Sequence, residues 1–104
     1  MYFEALSNAV IDNVTMNNSG TDVAYGFNTG IDVNLKYGSY SNISIINSTF
    51  TGCGATGTAA DVQNPVVIAV KARDDAPSYN SNPATLDNVD IKITLFLALQ
   101  MAYV

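Results

Sequence analysis

The sequence predicts an all-β fold in which parallel strands stack on one another as a solenoid. The main observation is a ten-residue motif, Ser41–Phe50, that occurs three times in a chain of 104 residues. The copies begin near Asn8, Asn42 and Asn88, and apolar residues follow each asparagine at every second position. A period of two is typical of a strand with one buried face. Because a second strand type recurs between the copies in the same order, stacked units explain the pattern better than hairpins.

The alignment of the three copies predicts which residues lie side by side in neighbouring strands. One core position is isoleucine in every copy, and another is a large apolar residue in every copy. The predicted neighbours are Ile11, Ile45 and Ile91 at the first position, and Met16, Phe50 and Phe96 at the second.

A second apolar strand lies between the copies and recurs once, at residues 31–36 and 66–71. Both segments carry Ile, Val or Leu at every second position and end in a lysine. Short strands are also predicted at residues 22–27 and 60–63, each starting near an Asp-Val pair. The matched core pairs of the longer strands are Ile31 with Val66, Val33 with Ile68, and Leu35 with Val70.

The length of the chain predicts one domain, residues 1–104. Coil 1 covers about 8–41, coil 2 about 42–87, and a partial third coil with a tail covers 88–104. The copies are about 34 and about 46 residues apart, and most of the difference lies in the loop 76–85. An insertion confined to one turn is typical of solenoids.

The segment from Asn42 to Gly54, with its copies at Asn8 and Asn88, resembles the right-handed parallel β-helix of the pectin-lyase-like superfamily. The resemblance implies a short or truncated member: an all-β, right-handed parallel β-helix of about two to three coils. It also implies a ladder of inward-facing asparagines at a bend, here Asn13 and Asn47. Because the superfamily contains lyases, hydrolases, epimerases, phage tailspikes and adhesins, the resemblance implies an architecture and not one activity.

Lys71, Arg73, Asp74 and Asp75 are the candidate catalytic and metal-binding residues. A basic residue beside paired carboxylates is the kind of group that moves a proton next to a metal-bound carboxylate. The polysaccharide lyases of the superfamily use a Lys or Arg as base. The resemblance implies this role for Lys71 or Arg73. These lyases also bind Ca²⁺ through aspartates, and the resemblance implies that role for Asp74 and Asp75. The competing interpretation is a solvated turn with ordinary ion pairs.

Tyr37, Tyr40 and Tyr79 are the candidate ligand-binding residues. Tyr37 and Tyr40 flank one turn, and Tyr79 lies in the equivalent loop of the next repeat, so the three rings are predicted to cluster. Tyrosine rings have an apolar face and a polar edge, which suits contact with sugars. The competing interpretation is packing at the corners of the solenoid.

Composition and charge restrict the classes of function. The net charge is −5 with only 4 Lys and Arg, which argues against a nucleic-acid partner. No apolar run reaches the roughly 18 residues of a membrane-spanning helix. The chain has no histidine, a residue that the hydrolases and epimerases of the superfamily use. The sequence does not identify a compartment; membership in a larger β-helix protein implies an extracellular or cell-surface location.

The apolar tail from Thr94 to Val104 departs from the repeat. So much apolar surface is expected to leave water by covering the end of the core or by meeting a second chain. The sequence therefore predicts that the tail acts as a cap or interface. Self-association is expected through strand edges or through the tail residues Leu95, Phe96, Leu97, Leu99, Met101 and Tyr103.

These observations predict a structural or carbohydrate- or surface-binding β-helix module without independent enzymatic activity. A truncated piece of a larger β-helix protein fits the same prediction. The alternative is a polysaccharide lyase-like protein, or its remnant, that performs β-elimination on a uronate. No cofactor is expected other than Ca²⁺ in that alternative, and a polysaccharide is the expected external partner.

Overall fold

The computed structural model describes residues 1–24, 27–55 and 65–96. Within those ranges the chain forms strands and no helix, which confirms the prediction of an all-β fold. The strands are β1 (Tyr2–Phe3), β2 (Ala9–Asp12), β3 (Thr15–Asn17), β4 (Thr29–Leu35), β5 (Ser39–Thr51), β6 (Val66–Ala72) and β7 (Thr85–Phe96).

The strands form two sheets, and the chain alternates between them. The first sheet has the order β1-β4-β6. In the second sheet, β2 and β3 lie along one edge of β5, and β7 pairs with β5. Every pairing is parallel, as predicted from the recurring motif. Strands that are neighbours in a sheet are therefore separated in sequence by at least one strand of the other sheet.

The predicted register of the first two copies is confirmed. Ile11 pairs with Ile45 and Met16 pairs with Phe50. In the third copy Ile91 pairs with Ile45 as predicted, but Phe50 pairs with Leu95 and not with Phe96. The cause is a register shift between Ile46 and Ser48, where β5 has one residue more than β7.

The predicted register of the other sheet is wrong by two residues. Ile31 pairs with Ile68, and Val66 pairs with Thr29. A shift of two residues keeps every side chain on its own face of the sheet, so the apolar pattern is satisfied equally well by both registers. A consequence is that Lys71 lies opposite Asn34, so Lys36 and Lys71 are not neighbours across the strands.

The short strand predicted at residues 22–27 is wrong for residues 22–24, which form a turn. The Asp22 carboxylate accepts a hydrogen bond from the backbone N–H of Ala24 at 3.0 Å, as aspartates commonly do in turns. The matching short strand predicted at residues 60–63 lies outside the described residues.

The core lies between the two sheets and includes side chains of β4, β5 and β6. The best buried apolar side chains of β4 and β5 have 0–1% exposure, and Val67, Ile68 and Val70 of β6 are equally buried. The inward side chains of the outer strands of the second sheet are only partly buried against this core, among them Ile11, Met16, Ile91 and Leu95. The fully buried residues of the two central strands are Ile31, Val33, Leu35, Ile43, Ile45 and Phe50.

A ladder of asparagine side chains joins the three copies of the motif. Asn42 Nδ2 donates to Asn8 Oδ1 at 3.0 Å, and Asn88 Nδ2 donates to Asn42 Oδ1 at 2.8 Å. All three residues have a positive φ, a conformation that asparagine adopts more readily than most residues. The repeated asparagine therefore turns the backbone and links neighbouring strands.

The ladder predicted between Asn13 and Asn47 is wrong. Both side chains are exposed and not inward, and Asn47 Nδ2 donates instead to Asp12 Oδ1 at 3.1 Å. Asn13 and Asn47 also have positive φ values of 59° and 50°. The left-handed Asn13 separates β2 from β3, whereas Asn47 lies within β5 at the register shift against β7.

Candidate functional site

A polar groove with a volume of about 960 Å³ lies along the outward face of the β1-β4-β6 sheet. Asp32 and Asn34 reach this face because they alternate with the buried residues of β4. Lys71 and Arg73 come from the end of β6 and the residue after it. The lining residues are Met1, Tyr2, Phe27, Thr29, Gly30, Asp32, Asn34, Lys71, Arg73 and Asp75.

A row of hydrogen bonds crosses the groove from β6 to β1. Arg73 Nη1 donates to Asn34 Oδ1 at 3.2 Å, and Asn34 Nδ2 donates to the Tyr2 hydroxyl at 3.2 Å. The Tyr2 hydroxyl in turn donates to Glu4 Oε1 at 2.7 Å. Asn34 is only 6% exposed, so its amide is held by two partners in a nearly dry position. The row fixes the side chains that form the floor of the groove.

Lys71 pairs with an aspartate of the neighbouring strand. Its Nζ lies 3.5 Å from Asp32 Oδ1, which is within reach of an ion pair. The same oxygen is buried and has no hydrogen-bond partner within the described residues. Asp32 is thus held by charge attraction and lacks the close hydrogen bonds that fix Asn34.

Arg73 is bound to Asp75 through two parallel contacts. Arg73 Nε lies 2.7 Å from Asp75 Oδ1, and Nη2 lies 2.9 Å from Oδ2. This bidentate pair raises the pKa of Arg73 and lowers the pKa of Asp75. An arginine held in this way donates hydrogen bonds and remains charged, whereas a general base must be able to lose its proton.

Asp74 and Asp75 are adjacent in sequence but do not converge on a common point. Both oxygens of Asp75 contact Arg73, and Asp74 is exposed and makes no such contact. Ca²⁺ takes six to eight oxygen ligands. Within residues 1–24, 27–55 and 65–96 no group of three or more acidic, histidine or cysteine side chains is placed to hold a metal ion. In this arrangement the Asp75 oxygens are taken up by Arg73, and a Ca²⁺ site at Asp74 and Asp75 stays a prediction.

Tyr79 lies on Arg73 at one end of the groove. The guanidinium carbon of Arg73 is 4.3 Å from the centre of the Tyr79 ring, and Lys36 Nζ is 5.6 Å from it. Both cations are within the range of a cation–π contact. Lys36 also forms an ion pair with Glu4, which raises the pKa of Lys36 and, with the Tyr2 hydroxyl, lowers the pKa of Glu4.

Tyr37 completes an aromatic pair with Tyr79. The ring centres are 5.2 Å apart with an angle of 39° between the planes, and the Tyr37 hydroxyl donates to the Ser78 carbonyl at 3.3 Å. Tyr40 is not part of the pair, because it packs against the core and its hydroxyl donates to the Lys36 carbonyl. The structure brings two of the three predicted tyrosines together and directs the third inward.

Three residues at the floor of the groove were not predicted as site residues from the sequence. They are Tyr2, Asp32 and Asn34, which come together because β1 and β6 pair with opposite edges of β4. The alternation of β4 places Asp32 and Asn34 outward. Their closeness to Lys71 and Arg73 depends on the two-residue register shift, for which the sequence carries no signal.

The predicted tail interface lies mostly outside the described residues. Leu95 packs against the core and Phe96 is 54% exposed. The remaining predicted contact residues, Leu97, Leu99, Met101 and Tyr103, are not described. In the described part of the chain there is no helix with the length and hydrophobicity of a membrane span.

No family model, curated protein or solved structure matches the chain.

Proposed function

We propose that the chain is a short right-handed parallel β-helix of the pectin-lyase-like kind. Two parallel sheets with alternating strands support this architecture, as does the asparagine ladder between the motif copies. Residues 1–6 join this pattern, since β1 pairs in parallel with one edge of β4 as β6 does with the other, all in the same sheet. In this arrangement each pass of the chain adds one strand to each sheet.

We infer that this module binds a polysaccharide, or a glycan-bearing surface, along the outward face of the β1-β4-β6 sheet. The observation that carries the proposal is the aromatic pair next to Arg73 at the end of the groove. Tyr37 is 50% exposed, and its ring centre lies 5.2 Å from that of Tyr79. A sugar ring placed on Tyr37 would lie beside Tyr79, whose ring centre is 4.3 Å from the guanidinium carbon of Arg73, a lining residue of the groove. Concave sites with a few fixed polar groups are typical of ligand binding.

The charges of the groove favour binding over catalysis. Arg73 is paired with Asp75 and Lys71 with Asp32, so both cations act as hydrogen-bond donors with a partly neutralised charge. The raised pKa of Arg73 opposes its use as the base of a uronate β-elimination. We therefore propose a module without independent enzymatic activity, whose ligand is recognised through hydroxyl groups as much as through charge.

Replacement of Tyr37 by alanine is expected to weaken polysaccharide binding about tenfold, because a stacked ring contributes roughly 1–1.5 kcal/mol beyond its buried area. The side chain is half exposed and lies outside the core, so the fold should be retained. The measurement is isothermal titration or affinity electrophoresis against a panel of neutral polysaccharides and polyuronates.

The matched control is Tyr40→Phe, which removes a hydroxyl that donates to the Lys36 carbonyl and keeps the ring that packs against the core. Its affinity should equal that of the parent chain. Binding that is unchanged in both Tyr37→Ala and Tyr79→Ala would show that the aromatic pair is not a glycan site. Tight binding of every polyuronate and of no neutral polymer would show that charge, and not the hydroxyl pattern, selects the ligand.

We also propose that the chain associates with copies of itself. Val89 is 38% exposed on β7, and Phe96 is 54% exposed at its end. The outer edge of β7 carries no partner strand within the described ranges. Open strand edges with apolar side chains are common sites of association.

A further inference from the structure

The β2-β5-β7 sheet ends in two open edges that have the same strand direction. One edge is formed by β2 and β3 and the other by β7, and neither has a further partner among the described strands. We propose that copies of the chain stack end to end, with the β2–β3 edge of one copy beside the β7 edge of the next. The strands at this junction are parallel, and Asn8 of one copy lies beside Asn88 of the other. The inference rests on the self-association proposed above and specifies its geometry.

The asparagine ladder has complementary ends. In both of its hydrogen bonds the Nδ2 group of the later copy of the motif donates to the Oδ1 atom of the earlier copy. Asn8 therefore ends the ladder with an unused Nδ2 donor, and Asn88 ends it with an unused Oδ1 acceptor, within the described residues. Stacking a second copy in the same direction places donor beside acceptor. Stacking the same edges head to head places like groups together.

The charges along the two edges are also complementary in this register. Ile46 of the central strand pairs with Asp12 on one side and with Lys92 on the other. Continuing the same register across the junction brings Asp12 of one copy beside Lys92 of the next. The Lys92 side chain is 77% exposed and its intramolecular partner, Asp90, is 3.5 Å away. Opposite charges directly across a strand pair are favourable.

The apolar residues of the edges match in the same register. Ile45 lies between Ile11 and Ile91, so the junction brings Ile11 beside Ile91. Likewise Phe50 lies between Met16 and Leu95, which become neighbours. These four side chains are only partly buried in the single chain. At the junction the core continues from one copy into the next. The strands there pair in the same register in which β5 pairs with its neighbours within one chain.

The contact is confined to this sheet. All the strand pairings that define the register of the junction belong to this sheet. The contact is heterologous, since different surfaces of the two copies meet. It leaves one free edge at each end, and the expected product is an open stack whose length grows with concentration.

The test is a disulfide between full-length variants that each carry one new cysteine. Val10 and Asp90 both pair with Ser44 of the central strand, so they become direct neighbours across the junction. Adjacent strands lie about 4.7–4.9 Å apart, which is within the Cα–Cα range of a disulfide. Mild oxidation of an equal mixture of Val10→Cys and Asp90→Cys should give a mixed disulfide dimer in non-reducing electrophoresis. Neither variant alone should give a dimer.

The matched control replaces Asp90→Cys with Thr94→Cys. Thr94 is exposed on the same strand but lies four residues further along, roughly 13 Å away at about 3.3 Å per residue. This distance exceeds disulfide reach, so the mixture of Val10→Cys and Thr94→Cys should give no mixed dimer. The native Cys53 is buried and is common to all variants.

Light scattering on the parent chain at increasing concentration separates this inference from the proposal on which it rests. Oligomers together with the mixed disulfide support both. If oligomers form without the mixed disulfide, or if one variant alone forms disulfides, self-association is supported and the end-to-end register is overturned. A monomer at every concentration overturns both. Loss of glycan binding in Tyr37→Ala tests the groove and is unaffected by either result.

Discussion

Ile45→Asp is expected to abolish the folded state. Ile45 has no exposed surface and lies between Ile11 and Ile91 in the centre of the second sheet. An aspartate there would place a carboxylate in a dry position without a partner, or would have to take up a proton at a cost. Penalties of this kind are comparable with the roughly 5–15 kcal/mol that stabilises a small domain. Circular dichroism and the dispersion of amide signals in an NMR spectrum measure the loss.

The matched control is Ile46→Asp, the same substitution one residue further along the strand. Ile46 lies on the outward face, is partly exposed and pairs with Asp12 and Lys92. Its replacement by aspartate should leave the fold intact and change the free energy of unfolding by about 1 kcal/mol or less. A folded Ile45→Asp together with an unfolded Ile46→Asp would mean that the two faces of β5 are exchanged.

Gly54→Ala is expected to have the second largest effect. Gly54 has φ of +75°, and a Cβ atom at this position would lie 2.4 Å from the Val66 carbonyl oxygen and 3.0 Å from the Val67 nitrogen. Both neighbours are backbone atoms of β6, so they cannot move without disturbing the strand. Left-handed strain alone costs about 1–3 kcal/mol, and the backbone contact adds to it. We expect a loss of more than about 3 kcal/mol in the free energy of unfolding, measured by urea denaturation.

Gly38→Ala is the control for this substitution. A Cβ atom at Gly38 would meet the Tyr40 ring at 3.1 Å, and the backbone there is not in the left-handed region. The ring can shift slightly, so the expected loss is about 1 kcal/mol or less. Equal stability of Gly54→Ala and the parent chain would show that the turn at residue 54 does not approach β6 as described.

The sequence predicted the strands and the parallel pairing because one motif recurs with its asparagine and its period of two intact. Asn8, Asn42 and Asn88 align in the sequence and are joined by hydrogen bonds in the fold. The repeat also predicted the pairing of Ile11, Ile45 and Ile91. Repetition of this kind carries register information that a single amphipathic strand does not have.

The register of β4 and β6 could not be predicted in the same way. Both strands are apolar at every second position, so a shift of two residues leaves the burial of each side chain unchanged. The additional residue at Asn47 was missed for a related reason. Asn47 aligns with Asn13 of the first copy, and both side chains are exposed. Only the pairing with β7, which is one residue shorter at this point, shows that Asn47 is the unpaired residue of β5.

Part of the candidate site followed from the sequence, and part required the fold. Arg73 and Asp75 are close in sequence, so their pairing needs only a turn. The meeting of Tyr37 and Tyr79 followed from the equivalence of two loops. The contact of Arg73 with Asn34, and of Asn34 with Tyr2, depends on the register of three strands. Long-range polar contacts of this kind have no local sequence signal.

The most direct test of the central claim, the parallel in-register stack of the three motif copies, is a nuclear Overhauser experiment on the ¹⁵N-labelled chain. We expect cross-peaks from the side-chain amide protons of Asn42 to those of both Asn8 and Asn88, because the amides are linked at 3.0 and 2.8 Å. We also expect backbone amide contacts of Ile45 with the strands of Ile11 and Ile91. Strong cross-peaks between α-protons of facing residues, together with no contact among the three asparagines, would indicate antiparallel pairing and contradict the claim.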